Sequence, residues 1–334
     1  MKAQILDHTA KIEKHPLTLQ DVEIPTYNEN EILIKVHVCG ICRTDLHVIE
    51  GELESKKLPL IPGHQVVGSI IAIGKKVKDF VLDDRVGIAW LQRTCGKCRF
   101  CTTGRENLCE EAIFTGWSTN GGFAEYIVAP AQFAYSLPQG YPDLKAAPLL
   151  CAGIIGYRSL KLMEISDWKY KKIGIYGFGA AGHIAIQLLR ARGAEVYVCT
   201  RDEKHQKLAA ALGAKWVGGT IDPPPQLLEA AVVFAPAGEI VPAALKALDR
   251  DGRLILAGIH MSPIPSFSYD VLYGERRIKS VTNNTRQDGQ EFLLEAARIG
   301  IEMHIEQFPL SQANEALYKL KHDQFQGAGV LVVD

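Results

Sequence analysis

Four cysteines, Cys95, Cys98, Cys101 and Cys109, follow one another at a C-x2-C-x2-C-x7-C spacing. Four thiolates this close can complete a tetrahedral shell around Zn²⁺, and a closed all-sulfur shell leaves no position for water or substrate. The chemistry it predicts is structural, a loop clamped by metal. Gly96 and Gly104 supply the tight turns that such a curl needs. A cysteine-ligated iron–sulfur cluster is the competing occupant. A disulfide framework is not expected in a chain of 334 residues without a secretion signal.

The second chemical pattern is Gly177-Phe178-Gly179-Ala180-Ala181-Gly182, a G-x-G-x-x-G between an apolar run and small residues at helical spacing. There the first glycine permits the turn, the second lets a pyrophosphate approach the backbone, and the third allows close helix–sheet packing. Amides at the helix N-terminus face the phosphates, so nucleotide binding is expected. An NAD site calls for an acid about 20 residues further on. This chain has Thr200 and Arg201 there, followed by Asp202. A hydroxyl and a guanidinium hold a 2′-phosphate that a carboxylate would repel, so NADP(H) is expected over NAD(H). Asp202 is the residue that would serve NAD. Gly258 and Ile259, at the end of a later strand, complete the expected cofactor contacts.

These residues need a frame to hold them. Up to about residue 150 the chain reads as short β-rich runs, at 31–38, 66–73, 85–90 and 123–128, bounded by Gly and Pro. From about 153, strands expected at 172–176, 195–200, 231–235, 253–258 and 278–282 alternate with helices, among them 182–192 and 203–212. That alternation is the rhythm of a doubly wound parallel sheet. The expected fold is α/β in two domains. A β-rich domain covers 1–152 and is rejoined by 286–334, with a helix near 290–298 and a strand at 330–333. A dinucleotide-binding domain covers 153–285.

Composition narrows the functions. A net charge of −1 with no basic stripe argues against nucleic-acid binding. No apolar run approaches a membrane span, and 47% hydrophobic with 22% charged residues is ordinary for a globular protein, expected to be cytoplasmic. Of the remaining cysteines, Cys39 and Cys199 read as small buried apolar residues.

Cys42 and Cys151 stand in longer patterns. The segments are Cys39-Gly-Ile-Cys42-Arg43-Thr44-Asp45-Leu-His47, Pro62-Gly63-His64-Gln65, Gly121-Gly-Phe-Ala-Glu-Tyr126 and Leu150-Cys151-Ala-Gly153. With the cysteine lobe and the glycine-rich loop in this order, the chain resembles the zinc-dependent alcohol dehydrogenases of the medium-chain dehydrogenase/reductase superfamily. The resemblance covers essentially its whole length. It implies a GroES-like catalytic domain beside a Rossmann domain, and two zinc ions per chain. The catalytic zinc would be held by Cys42, His64 and Cys151, a set that leaves one position open, with Asp45 orienting the histidine. Similar enzymes pass the alcohol proton outward through a hydroxyl, the nicotinamide ribose and a histidine, and Thr44 and His47 match those places. Arg43 matches a basic residue near the cofactor pyrophosphate. Trp90 and Trp117 either line the substrate pocket, as in relatives, or fill the core. The implied substrate is a small alcohol or aldehyde, and the implied assembly a homo-oligomer, a tetramer before a dimer. A polyol dehydrogenase on the same scaffold and a catalytically silent zinc and NADPH-binding protein are the competing functions. Two departures from the family pattern stand out. Gln65 replaces the usual Glu, and Gly327-Ala328 stands where many relatives have an arginine.

Overall fold

In the computed structural model, which describes residues 1–325 and 327–333, the β-branched run that begins at residue 31 forms the strand Glu31–Ile41. Its alternate side chains Ile32, Ile34 and Val36 are at most 1% exposed, the period of two expected of a half-buried strand. One edge of this strand pairs antiparallel with Gln65–Ile73, and the other with Tyr126–Pro130 and Ala328–Val332. Arg85–Ile88 and Ala134–Ser136 extend the sheet beyond Gln65–Ile73, while Ile305–Pro309 runs parallel to Ala328–Val332. A hairpin of Lys2–Leu6 and Leu17–Asp21 completes the strands that pack this core. These elements belong to a unit formed by Met1–Cys151, Asn283–Leu294 and Met303–Asp334.

The register of this sheet prepares a site. Gly40 pairs with Gln65, so Cys42, two residues beyond Gly40, and His64, one residue before Gln65, emerge at the same end. A Cβ at residue 40 would stand 2.8 Å from Gln65 Oε1, so a side chain there would displace the Gln65 amide.

The second unit, Ala152–Thr282 with Glu295–Glu302, contains a six-stranded sheet. Its order is Trp216–Gly218, Glu195–Cys199, Lys172–Tyr176, Leu228–Val233, Leu248–Leu256 and Arg277–Ser280, and every neighbouring pair is parallel. Strands one and four of this chain segment are therefore neighbours, and the crevice at their carboxyl ends is where a doubly wound sheet receives a ligand. The helices Ala180–Ala191 and Glu203–Ala211 follow the first two strands.

Several boundaries differ from the expected ones for local reasons. The run expected at 123–128 is divided: Phe123 O accepts from Gln4 N–H and Glu125 N–H donates to Lys2 O, so the strand proper starts at Tyr126. The helix expected near 290 spans Arg286–Ile299. Thr285 and Asp288 form a reciprocal cap at its start, with Thr285 N–H to Asp288 Oδ2 at 2.9 Å and Asp288 N–H to Thr285 Oγ1 at 3.1 Å. The strand ending at Leu256 begins at Leu248, ahead of the expected 253, through an irregularity in its pairing. The first hairpin, the strand Ile305–Pro309 and the helix Ala313–Lys321 have no counterpart among the expected elements. Among the described residues no helix is long and apolar enough to cross a membrane.

Candidate active site

Cys42 follows the strand Glu31–Ile41 and caps the next helix, Arg43–Ile49. Its Sγ accepts from Thr44 N–H at 3.3 Å, and its own N–H donates to Asp45 Oδ2 at 2.8 Å. Sulfur here takes the part usually played by a hydroxyl oxygen in a capping box. The second oxygen of Asp45, Oδ1, lies 2.9 Å from His64 Nδ1, and both residues are 1% exposed. The ring is thereby turned so that Nε2 lies 3.4 Å from Cys42 Sγ. Cys151 sits in the π-helical turn Leu149–Gly153 and brings its Sγ to 3.8 Å from that of Cys42. Turns of this wide kind recur at functional sites. Ligands bound to one tetrahedral Zn²⁺ at their usual lengths stand about 3.5–3.8 Å apart, so the three donors fit a zinc ion.

The electrostatics agree with a cation. A bond from the Cys151 thiol holds Cys42 well below the usual thiol range, against its burial and with help from His64. Burial opposes charge on His64, but Asp45 and Cys42 overcome it and raise the imidazole to about 10. Burial pushes Asp45 up. A divalent ion replaces the protons that such a cluster otherwise shares. Trp90 meets the His64 ring edge-on at 5.0 Å and 78°, and stacks on Trp117 at 5.7 Å. Phe114, not singled out in the sequence, joins the stack 5.3 Å from Trp90.

The four-cysteine run curls as its glycines allow. Gly96 and Gly104 have φ of +71° and +70°. Cys101 Sγ stands 3.9 Å from Cys95 Sγ and 3.6 Å from Cys98 Sγ, and Cys95 N–H donates to Cys109 Sγ at 3.4 Å. Backbone donors from Cys101 and Phe100 bring Cys98 down to about 7, close to the thiolate that a metal needs. All eight cysteines are free of disulfides.

In the second unit the glycine-rich turn has the expected construction. Gly177 has φ of +88°, and a Cβ there would stand 2.8 Å from Ala235 N. Gly179 faces open space, and a Cβ on Gly182 would come 2.9 Å from Gly177 O. Phe178 is buried and stacks on His183, while Ala180 and Ala181 open the helix. At the end of the second strand Thr200 is buried and Arg201 exposed. Asp202 is already employed: its Oδ1 accepts from Lys204 and His205 N–H at 2.7 and 3.2 Å, capping the helix Glu203–Ala211. Gly258 and the exposed Ile259 follow the strand Leu248–Leu256.

The alcohol dehydrogenase GroES-like domain family matches residues 28–139, and the zinc-binding dehydrogenase family matches residues 180–298. A probable alcohol dehydrogenase of Mycobacterium tuberculosis is 47% identical over 324 residues, 95% of this chain and 93% of its own. The chain belongs to the zinc-dependent alcohol dehydrogenases of the medium-chain dehydrogenase/reductase superfamily. Among solved structures, the CAD of Helicobacter pylori complexed with NADP(H) is 26% identical with a TM-score of 0.87, covering 99% of both chains. The acetophenone reductase of Geotrichum candidum in complex with NAD is also 26% identical, with a TM-score of 0.88 and coverage of 99% of this chain and 96% of its own. This dehydrogenase is an oxidoreductase of alcohols and aldehydes that uses zinc and a nicotinamide cofactor.

The remaining expected residues of the dehydrogenase are placed as follows. Thr44 follows the cap in the first helical turn, and His47 lies one turn on, its Nδ1 2.5 Å from Glu52 Oε2. Glu52 carries no motif and was invisible in the sequence, although Gly51 beside it signals a reversal. Arg43 is exposed and paired with Asp323 at 2.8 Å. Gln65 is buried, and its Nε2 has no hydrogen-bond partner among the described residues. Gly327 has φ of +81°, and a Cβ there would stand 2.0 Å from His304 O, so the arginine of relatives has no room at this residue.

Proposed function

We propose that this dehydrogenase holds two zinc ions per chain and prefers NADP(H), oxidising a small alcohol or reducing the corresponding aldehyde. The observation that carries the catalytic reading is the cluster of Cys42, His64 and Cys151 with Asp45 behind the histidine. Three donors leave one position of a tetrahedral ion for the substrate oxygen. Zinc supplies Lewis acidity there, and the nicotinamide exchanges the hydride. Asp45 holds Nδ1–H of His64 and so keeps Nε2 directed at the cation. The Thr44 hydroxyl accepts the alcohol proton while passing its own onward by way of the nicotinamide ribose, and His47 delivers a proton to solvent. Trp90 and Trp117 form an apolar wall beside the reacting centre. Cys95, Cys98, Cys101 and Cys109 hold the second, closed shell.

In this reading the turn Gly177–Gly182 takes the pyrophosphate, Gly258 and Ile259 are further cofactor contacts, and Arg43 is the basic residue that the family resemblance assigns to the cofactor. Thr200 and Arg201 read the 2′-phosphate; the engagement of Asp202 as a helix cap supports that preference. Catalysis belongs to residues 1–152 and 286–334 and cofactor binding to 153–285, except that Glu295–Glu302 pack with the second unit. The exposed edge strand Arg277–Ser280, with Tyr269 and Tyr273 exposed nearby in sequence, supports a homo-oligomer, and the family resemblance puts a tetramer before a dimer. Eight cysteines outside any disulfide suit the cytoplasm.

Metal analysis with a panel of alcohols and aldehydes, each run with both cofactors, tests the reading. Two zinc ions per chain and faster turnover with NADPH than NADH are expected. One zinc and no turnover would remove the catalytic assignment, and a preference for NADH would remove the 2′-phosphate contacts.

A further inference from the structure

We infer that Glu52 is a positioning residue for His47, a role that rests on the proton relay proposed above. His47 lies in the helix Arg43–Ile49. The chain reverses at Gly51, whose φ of +77° is left-handed, and Leu53 N–H donates back to His47 O at 3.1 Å. A Cβ on Gly51 would stand 3.1 Å from Thr9 Oγ1, so conformation and space both favour glycine. The reversal returns Glu52 to the helix that precedes it. Its Oε2 lies 2.5 Å from His47 Nδ1 and its Oε1 3.6 Å from Lys11 Nζ. Lys11 pairs with Glu50 at 3.2 Å, and Glu50 with Lys321 at 2.8 Å, so both carboxylate oxygens have a held partner. The His47 side chain is 15% exposed against 42% for Glu52, which leaves the ring sheltered and the acid in reach of water.

A carboxylate at this distance accepts from Nδ1–H and selects that tautomer. The lone pair then resides on Nε2, which becomes the nitrogen able to take a proton. In alcohol oxidation Nε2 gains the proton, Nδ1 keeps its own, and the imidazolium stays paired with Glu52 until Nε2 releases the proton to water. Glu52 exchanges no atom; it decides which nitrogen works. A solvated neutral histidine prefers the opposite, Nε2–H form, so this contact reverses an intrinsic preference.

Glu52→Leu removes the acceptor at similar size, and Glu52→Asp keeps one. In zinc-loaded enzyme carrying ¹⁵N-histidine, the His47 signals, assigned by their loss in His47→Gln, should report Nδ1–H in the wild type. They should move to Nε2–H in Glu52→Leu and return toward the wild-type form in Glu52→Asp. kcat for alcohol oxidation should fall about tenfold in Glu52→Leu, a part of the roughly 100-fold or more that a positioned acid–base group supplies, with NADP(H) affinity unchanged. The same substitution should add no loss to His47→Gln. An Nε2–H tautomer in the wild type, an unchanged tautomer in Glu52→Leu, or a full further loss in the double variant overturns the proposal. Failure of the relay itself is a separate result: an unchanged kcat in His47→Gln removes the catalytic consequence, while the tautomer is read independently of turnover.

Discussion

Asp45 meets two demands with two oxygens. Oδ2 closes the cap that starts the helix at Arg43, and Oδ1 fixes the His64 ring. An asparagine offers one acceptor oxygen and no charge, so Asp45→Asn must give up one of the two contacts. Outer partners of metal-ligating histidines are worth about 10–100-fold in affinity. Asp45→Asn should therefore weaken the zinc proposed at Cys42, His64 and Cys151 by that factor and leave the one proposed at the four cysteines in place, as read by competition with a chromogenic chelator. Equal weakening of both ions would dissociate Asp45 from the cluster of Cys42, His64 and Cys151. The cofactor contact is open to the same kind of comparison. Arg201→Ala should weaken NADPH by about 1–3 kcal/mol, the range of a charge-assisted hydrogen bond, and leave NADH alone. Fluorescence titration with both cofactors measures this, and equal losses would mean that Arg201 does not meet the 2′-phosphate.

The helix Arg286–Ile299 is tied to the four-cysteine loop through one acid. Glu106 accepts from Arg286 N–H at 2.8 Å and from its guanidinium at 2.7–3.0 Å, while that guanidinium lies over Phe133 at 4.7 Å. Burial pushes the Glu106 carboxyl up, but the Arg286 bonds prevail and hold it below the usual range. A depressed carboxyl stabilises the fold above its unfolded value, about 4.3, and the benefit is lost as pH falls through the lower folded value. Glu106→Gln should cost about 1–3 kcal/mol at neutral pH, with the gap to wild type closing on acidification below about pH 4. Urea unfolding at neutral and acid pH tests this; a gap that persists in acid would assign the loss to packing. This tie, like the helix boundary it secures, lies beyond the reach of periodicity. The strand Lys172–Tyr176 was readable because a short apolar run, Ile173 to Tyr176, lies between two lysines and the glycine-rich turn. The start at Arg286 was not, because the side chains of Thr285 and Asp288 set it. The segment 123–128 misled because its first half pairs with a strand more than a hundred residues earlier. Local clusters follow the same rule. The four cysteines could be read from spacing alone, whereas Cys42 and His64 meet through the Gly40–Gln65 register, Cys151 joins them from the turn Leu149–Gly153, and only motif order suggested the three. Glu52 depends on the turn at Gly51, which spacing announces as a reversal without saying what it brings back.

Each of the two units has its own chemistry in the proposed scheme, so each should draw stability from its own ligand. Metal binding contributes folding free energy wherever the ligands are not assembled in the unfolded chain. The four cysteines sit on a segment with little regular structure, two short helical turns and the small ladder of Leu91–Arg93 with Ile113–Phe114, so its order is expected to depend on the proposed ion. A nicotinamide cofactor at 100 times its Kd adds about 2.7 kcal/mol to whatever it binds. Hydrogen exchange separates the two contributions. Cys98→Ser should release protection over residues 91–115 and lower the temperature of aggregation, with the amides of Lys172–Tyr176 and Glu195–Cys199 little changed. Saturating NADP(H) should slow exchange in the helix after Gly182 and at the carboxyl ends of those strands, and should do so in Cys98→Ser as well. Loss of cofactor protection in Cys98→Ser would show that the metal-clamped loop stabilises the parallel sheet too. Unchanged exchange over 91–115 would show that the loop holds its shape without the ion, and the closed sulfur shell would then have no structural task.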